Sequence, residues 1–287
     1  MRIRTAVIPA AGMGTRFLPA TKAVPKELLP IIDTPAIQLV LDECTGAGIE
    51  HVVIITSPSK PSIEAYFAPA PEVVERLRST GRDSMADALD RIGSSMRVSF
   101  VMQDFPHGLG HAVSCAREAV GDEPFAVLLP DELMADSGLL SQLIDVCEQT
   151  AASAVGLMQV PRADVSRYGV VDPTGPIGAD GVVGVRTMVE KPPVADAPSE
   201  LIIIGRYALT NDVFDHLDRV APGAGGEIQL TDALRMQAEA GAFHGVLGTT
   251  RRFDTGTPLG WLTAVVDRAL DDPVIGASFR AWLDSCR

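Results

Sequence analysis

Residues 6–29 read AVIPAAGMGTRFLPATKAVPKELL. An apolar run ends in a loop carrying Gly12 and Gly14, and Arg16, Lys22 and Lys26 follow within a dozen residues. Three occupants are open for such a loop: a phosphate, a dinucleotide, or none. The dinucleotide fingerprint needs a third glycine where this chain has Phe17, and a P-loop needs Lys-Ser/Thr where it has Thr15 and Arg16. Neither motif matches. The residues do supply glycines that let backbone N–H groups approach an anion, and in Arg16 a fixed fork of donors. Lys26 follows Pro25, a rigid turn that would aim it back at the same anion. Taken alone, a loop of this kind is more often a plain turn, so the rest of the chain has to decide.

Outward from this stretch, apolar runs alternate with helical patterns. TAVIPA (5–10), HVVIITS (51–57), RVSFVM (97–102), FAVLLP (125–130) and SAVGLMQV (153–160) are continuous strands, as a sheet covered on both faces requires. Between them, 35–48 places Ile37, Val40, Leu41, Cys44 and Ala47 on one helical stripe closed by Gly48. Residues 109–120 and 138–150 also read as helices. The alternation predicts an α/β fold with a mostly parallel sheet. Residues 59–95 interrupt it with polar helical material and read as a helical insertion or lid. After Pro161, β runs at 182–190 and 201–209 read as a second lobe on the same sheet, and helices dominate from Glu227 onward.

The chain has 287 residues, of which 46% are hydrophobic, enough for one large core or two modest ones. Cys44, Cys115, Cys147 and Cys286 are scattered without a CxxC pair, which argues against a zinc site or disulfide framework and fits a reducing cytoplasm. No basic leader opens the chain and no apolar run reaches membrane-spanning length, so neither secretion nor a membrane is expected. The formal net charge of −13 argues against nucleic acid as a partner. Residues 1–30 nevertheless carry five basic side chains against Glu27 alone. A basic loop on an acidic protein points to a small anion held at one spot, although Arg2 and Arg4 read as ordinary terminal charges.

Four further segments carry chemistry. In QDFPHGLGHA (103–112), Gln103 offers an amide able to match the edge of a base, Gly108 and Gly110 allow close backbone approach, and His111 falls in the first turn of the next helix. In LLPDELM (128–134), Asp131 lies just past the carboxyl end of a buried strand, the edge where open α/β sheets bind ligands. A hard oxygen ligand there suits Mg²⁺, and Asp254 in RRFDTGTP is the candidate second carboxylate. Glu132 is expected to face solvent. In VEKPP, Glu190 suits sugar hydroxyls, and strand alternation would send Lys191 to the opposite side, toward a phosphate. GGEIQLTDAL (225–234) starts a helix on a glycine pair and is a candidate pocket wall, whereas GRYAL (205–209) reads mainly as a strand.

Together, AAGMGTRFLPATKAVPKELLP, QDFPHGLGHA, LLPDELM, YGVV, EKP, GRY and GEIQLTDAL resemble, in order, the bacterial UTP–glucose-1-phosphate uridylyltransferases, within the sugar-1-phosphate nucleotidylyltransferases. The resemblance implies a Rossmann-like nucleotidyltransferase fold in one domain, 1–287. Its nucleotide-binding half would be 1–135 with the insertion 59–95, its sugar-phosphate half 151–260, and its C-terminal helices 257–287. It implies that Ala11, Gly12, Gly14, Thr15, Arg16 and Lys26 hold the nucleotide phosphates, that Gln103 and Gly108 read uracil, and that Asp131 binds Mg²⁺. Gly169, Glu190 and Lys191 would bind glucose 1-phosphate. The implied reaction is in-line attack of the sugar phosphate on UTP, with Arg16, Lys26, Asp131 and Lys191 catalytic and no Ser, Cys or His nucleophile required. His107 and Glu132 depart from the leucine and the aspartate or small residue usual at their places, and DTGTPLGW lacks the usual asparagine or lysine. The same chemistry on dTTP or another sugar phosphate, and a non-catalytic nucleotide-sugar-binding subunit, are the competing readings. A homo-oligomer, dimer or tetramer, is expected through the apolar stretch 261–270 and Trp282.

Overall fold

The computed structural model describes residues 2–94, 96–223 and 226–286. The outer ends of the expected domain (Met1 and Arg287), the last residue of the 59–95 segment and the first glycine of the 225–234 motif lie outside the described residues. The first half of the chain contributes β1 (Thr5–Pro9), β2 (Pro30–Ile31), β3 (Thr34–Pro35), β4 (His51–Thr56), β5 (Arg97–Met102), β6 (Phe125–Leu128) and β7 (Glu132–Met134). The second half contributes β8 (Ser153–Gln159), β9 (Gly169–Pro173), β10 (Val182–Glu190), β11 (Leu201–Leu209), β12 (Phe243–Leu247) and β13 (Arg252–Asp254). Among the described residues, nine of these form one sheet in the order β5-β4-β1-β6-β11-β8-β12-β10-β9.

The sheet is mixed, and the two halves of the chain divide it. β5, β4, β1 and β6 run parallel, whereas β11 pairs antiparallel with both β6 and β8, and β10 antiparallel with β12 and β9. Among the described residues of the second half, only β8 and β12 are parallel. Successive residues of a strand face opposite sides, so Ile8, Ile54 and Leu128 enter one core and Val7, Val53 and Val127 the other. All nine residues of β11 are buried at the middle of the sheet. The expectation of full burial fails for β5, which is half-exposed because it is the edge strand.

The helices lie close to their expected places. They are α1 (Ala36–Gly46), α2 (Pro61–Phe67), α3 (Pro71–Ser79), α4 (Asp83–Arg91), α5 (Leu109–Ser114), α6 (Arg117–Val120) and α7 (Gly138–Thr150). After them come α8 (Val213–Leu217), α9 (Leu230–Ala240), α10 (Pro258–Asp271) and α11 (Gly276–Ser285). The expected helix over 109–120 is two pieces. The segment 59–95 has a structural task as well as being an addition: parallel strands need a crossover, and α2 supplies it between β4 and β5 with Ile63 fully buried. α3 buries nothing and pairs with α4 outside that layer. No helix among the described residues is long and apolar enough to cross a membrane.

This topology positions a site. From β1 the chain goes outward to β4 and β5, then returns past β1 to β6, so the connections diverge between β1 and β6. At such a switch point the loops leave a crevice beyond the carboxyl ends of the strands. Ala11, Gln103 and Asp131 follow β1, β5 and β6 at that edge.

Candidate active site

A cavity of about 840 Å³ opens there, lined by Ala11, Gly12, Arg16, Lys26, Gln103, Gly108 and Asp131 from the first half, and by Gly169, Glu190, Lys191 and Asp254 from the second. Two expected residues do not line it. Gly14 takes the left-handed conformation (φ 63°) and starts the turn Thr15–Phe17, and a Cβ there would press on Thr21 and the Lys26 stem at 3.3 and 3.4 Å. Thr15 is exposed on that turn. Gly12 is different: the space in front of it is empty and belongs to the cavity.

Beneath the loop lies a buried ion pair that the sequence did not announce. Lys60 Nζ donates to Glu27 Oε2 at 2.9 Å and to the Ala10 carbonyl at 2.7 Å. Burial lowers the Lys60 ammonium against the pull of Glu27, and the same burial raises Glu27 against the pull of Lys60. The pair ties the end of β1 to the residue after Lys26, so loop and lysine are fixed relative to one another. Lys26 Nζ in turn reaches Asp131 Oδ2 at 2.5 Å. Burial alone would raise the Asp131 carboxyl, but Lys26 and, more weakly, Arg16 outweigh it and hold it below the ordinary value, ionised at neutral pH.

Asp131 is carried by the turn after β6, which is clamped from behind. Arg206, fully buried, donates Nη1 to the carbonyls of Leu129 (3.1 Å) and Gly205 (3.0 Å), and Nη2 to that of Glu132. Glu43 of α1 neutralises it with two bonds of 2.8 Å. GRYAL is thus a strand, as expected, with a structural guanidinium inside it. The strand expectation does not extend to Glu132, which does not face solvent. It opens β7, its side chain is 12% exposed, and Arg252 of β13 grips it with two bonds of 2.6 Å. Burial, with Asp131 and Asp254 nearby, pushes its carboxyl up to about 7 against Arg252.

The β7–β13 ribbon also delivers Asp254, in register with Glu132. Thr255 N donates to the Asp131 carbonyl at 2.8 Å, which folds the Asp-Thr-Gly turn back over Asp131. A Cβ on Gly256 would lie 2.8 Å from Asp131 Oδ2 and 3.1 Å from Asp254 Oδ1. The two carboxylates therefore converge on one spot that only glycine leaves clear. Among the described residues no cluster of three His, Cys, Asp or Glu is arranged for a metal, and the two facing oxygens, Asp131 Oδ2 and Asp254 Oδ1, accept from Lys26 Nζ and Gly256 N.

Across the cavity, Gly169 pairs with Glu190 in the β9–β10 ladder. Thr231 at the start of α9 donates to Glu190 Oε2 at 2.7 Å. The expected opposition of Glu190 and Lys191 is wrong: Lys191 Nζ sits 3.0 Å from Glu190 Oε1. β10 ends at Glu190 and Lys191 adopts φ 45°, so strand alternation has stopped and both side chains line the cavity. Lys191 N is held by the Tyr168 carbonyl at 3.0 Å. Arg167, missed in the sequence, lines the same wall 3.9 Å from Asp254 Oδ2. Its only signal was a basic residue directly before the YGVV motif.

The third wall is the 103–110 loop with the 225–234 motif packed on it. Gly110 N donates to Ile228 O at 2.8 Å and Ile228 N to His107 O at 2.7 Å. At Gly108 (φ 95°) and Gly110 a Cβ would stand 2.7 and 2.8 Å from the Ile228 carbonyl, so these glycines are required by close packing. Gln103 is nearly buried, and Nε2 donates to Gly108 O at 3.3 Å and to His111 Nδ1 at 2.8 Å.

Residues 5–269 match the family described as nucleotidyl transferase. UTP–glucose-1-phosphate uridylyltransferase of Bacillus subtilis (strain 168) is 44% identical over 272 residues, covering 94% of this chain and 92% of that protein. Among solved structures, a UTP-bound UGPase from Acinetobacter baumannii superposes with a TM-score of 0.92 at 37% identity, covering 99% of this chain and all of the other. A UDP-glucose pyrophosphorylase complexed with UDP-glucose gives 0.84 at 37% identity, over 94% of this chain and all of that one.

Proposed function

The chain belongs to the nucleotidyl transferase family, and we propose from this premise that it transfers UMP from UTP to glucose 1-phosphate, forming UDP-glucose and pyrophosphate. The relatives that share nearly its whole length carry that activity in their names, and the solved neighbours hold UTP and UDP-glucose. The observation that carries the reading is one cavity that brings together Arg16 and Lys26 from the first half of the chain and Arg167 and Lys191 from the second, each lysine paired with a carboxylate.

In this reading Gly12 and its neighbours, with Arg16 and Lys26, hold the triphosphate, and Gln103 with Gly108 faces the base. Glu190, fixed by Thr231, accepts from sugar hydroxyls while Lys191 holds the sugar phosphate. The attacking phosphate oxygen is already ionised at neutral pH, so the site needs no general base. Its task is to press two polyanions together and neutralise charge at the α-phosphorus.

Asp131 and Asp254 would hold a divalent cation, Mg²⁺ by the hardness of their oxygens, with phosphate and water completing its shell. Such an ion supplies charge neutralisation on the phosphates. A cytoplasmic location and a homo-oligomer complete the reading. For the latter, Leu259, Leu262, Val274 and Trp282 of the C-terminal helices and their link are more than half exposed.

Pyrophosphate release measured across several NTP and sugar 1-phosphate pairs tests the substrate assignment. UTP with glucose 1-phosphate should give the highest kcat/KM. A higher value with dTTP or another sugar phosphate would move the chain to another branch of the same chemistry, and no turnover with any pair would favour a binding subunit.

A further inference from the structure

One polar side chain at the base end of the cavity has no part in the reading above. His111 stands in the first turn of α5, with Nδ1 2.8 Å from Gln103 Nε2. The same Gln103 nitrogen faces the Gly108 carbonyl at 3.3 Å. A carbonyl only accepts, so the atom turned toward it is the amide nitrogen and not the amide oxygen. The second N–H of that amide is spent on His111 Nδ1, which must then be the unprotonated nitrogen of a neutral ring. Among the described residues none donates to Gln103 Oε1, and that oxygen is not sealed from solvent. Gln103 and Gly108 both line the cavity.

We propose that His111 is a positioning residue for base selection, locking the Gln103 amide so that its oxygen rather than its NH₂ group meets the nucleotide base. The inference rests on the reading of this cavity as a UTP site. An oxygen acceptor matches the N3–H of uracil or thymine. Cytosine offers a lone pair at N3, and two acceptors facing one another in a desolvated pocket leave both unpaired. Rotating the amide to suit cytosine would turn its oxygen against the Gly108 carbonyl and force the His111 ring to move its proton to Nδ1. The Gly108 carbonyl, which can only accept, sets the direction of the amide, and His111 reinforces it by presenting Nδ1 as a second acceptor.

Burial and the adjacent His107 ring, 5.3 Å away, hold His111 below the ordinary imidazole value, so it is neutral at pH 7. The remaining charged groups nearby are exposed or engaged elsewhere. Asp104 and Glu227 on the flanking segments are exposed. On the helices packed against α5, His216 lies 3.7 Å from Asp212, and Asp232 3.7 Å from Arg235. In acid, protonated Nδ1 becomes a donor facing a donor, and the amide has to turn.

The test is steady-state kinetics with UTP and with CTP at saturating glucose 1-phosphate, from about pH 5.5 to about pH 8, for the parent, His111→Leu and His111→Asn. Asparagine places an oxygen acceptor near the position of Nδ1 but does not titrate. His111→Leu should lose roughly tenfold or more of the UTP-over-CTP ratio in kcat/KM, with a smaller change in kcat for UTP. His111→Asn should keep the ratio and lose the rise in UTP KM expected of the parent on the acid side. Substrate phosphates titrate near pH 6 in every variant, so the difference between parent and His111→Asn isolates the ring. The proposal is overturned if His111→Leu keeps the parental ratio, or if His111→Asn keeps the parental acid limb. A parent that prefers CTP would instead overturn the reading of the cavity itself.

Discussion

Arg16 and Lys191 line the cavity from different halves of the chain, beside Gly256 and Glu190 respectively, and this separates what their loss should do. Arg16 follows the glycine loop and reaches toward the Asp131–Gly256 corner, with Nη1 3.4 Å from the Gly256 carbonyl. A donor aimed at charge that develops in the transition state is worth about 10²–10³ in rate, so Arg16→Ala should cut kcat by that order. Lys191→Ala should raise the KM for glucose 1-phosphate, while UTP affinity measured by calorimetry with Mg²⁺ stays nearly intact. Loss of UTP affinity with sugar-phosphate affinity retained would exchange the two assignments. Asp131→Asn and Asp254→Asn should each raise the Mg²⁺ concentration needed for half-maximal activity, and unchanged metal titrations would remove that role. At this scale most of the cavity lining was legible, because glycines, a lysine after proline and a carboxylate at a strand end each carry a local signal. Glu132 and Lys191 were misplaced for a physical reason. Alternation rules hold only inside a strand, and both lie where a strand begins or ends.

The elements that matter most to the site are those that hold the Asp131 turn. Arg206 from β11 and Glu43 from α1 meet at full burial and fix three backbone carbonyls around that turn. Removing one partner of such a pair leaves an uncompensated buried charge and costs about 3–5 kcal/mol. Glu43→Gln should therefore lower the unfolding free energy from denaturant titration by an amount of that order, and a value within error of the parent would show that the clamp carries no stability. The long strands of the parallel half were readable because a run buried on both faces is apolar throughout. The β7–β13 ribbon was not, since each strand is three residues long and its charged residues are satisfied by one another. The approach of Asp254 to Asp131 depends on that ribbon, so the second carboxylate could be named from the sequence but not located.

At the scale of the whole molecule, an acidic protein of net charge −13 sets Arg16, Lys26, Arg167 and Lys191 among the carboxylates of one crevice where its two halves meet on a shared sheet. The fold follows from the strand–helix alternation and the placement of the crevice from the switch between β1 and β6. The antiparallel second half was legible only as strands, because pairing direction is decided by partners distant in sequence. The central claim is that this crevice joins two anionic substrates directly. Phosphorus-31 NMR of the purified protein with UTP, glucose 1-phosphate and Mg²⁺ tests it without a coupling enzyme. UDP-glucose and pyrophosphate should appear together in equal amounts as both substrates disappear, and chelating the metal should stop all three changes. Pyrophosphate or UMP formed without the nucleotide sugar, or substrates unchanged at high protein concentration, would contradict the account.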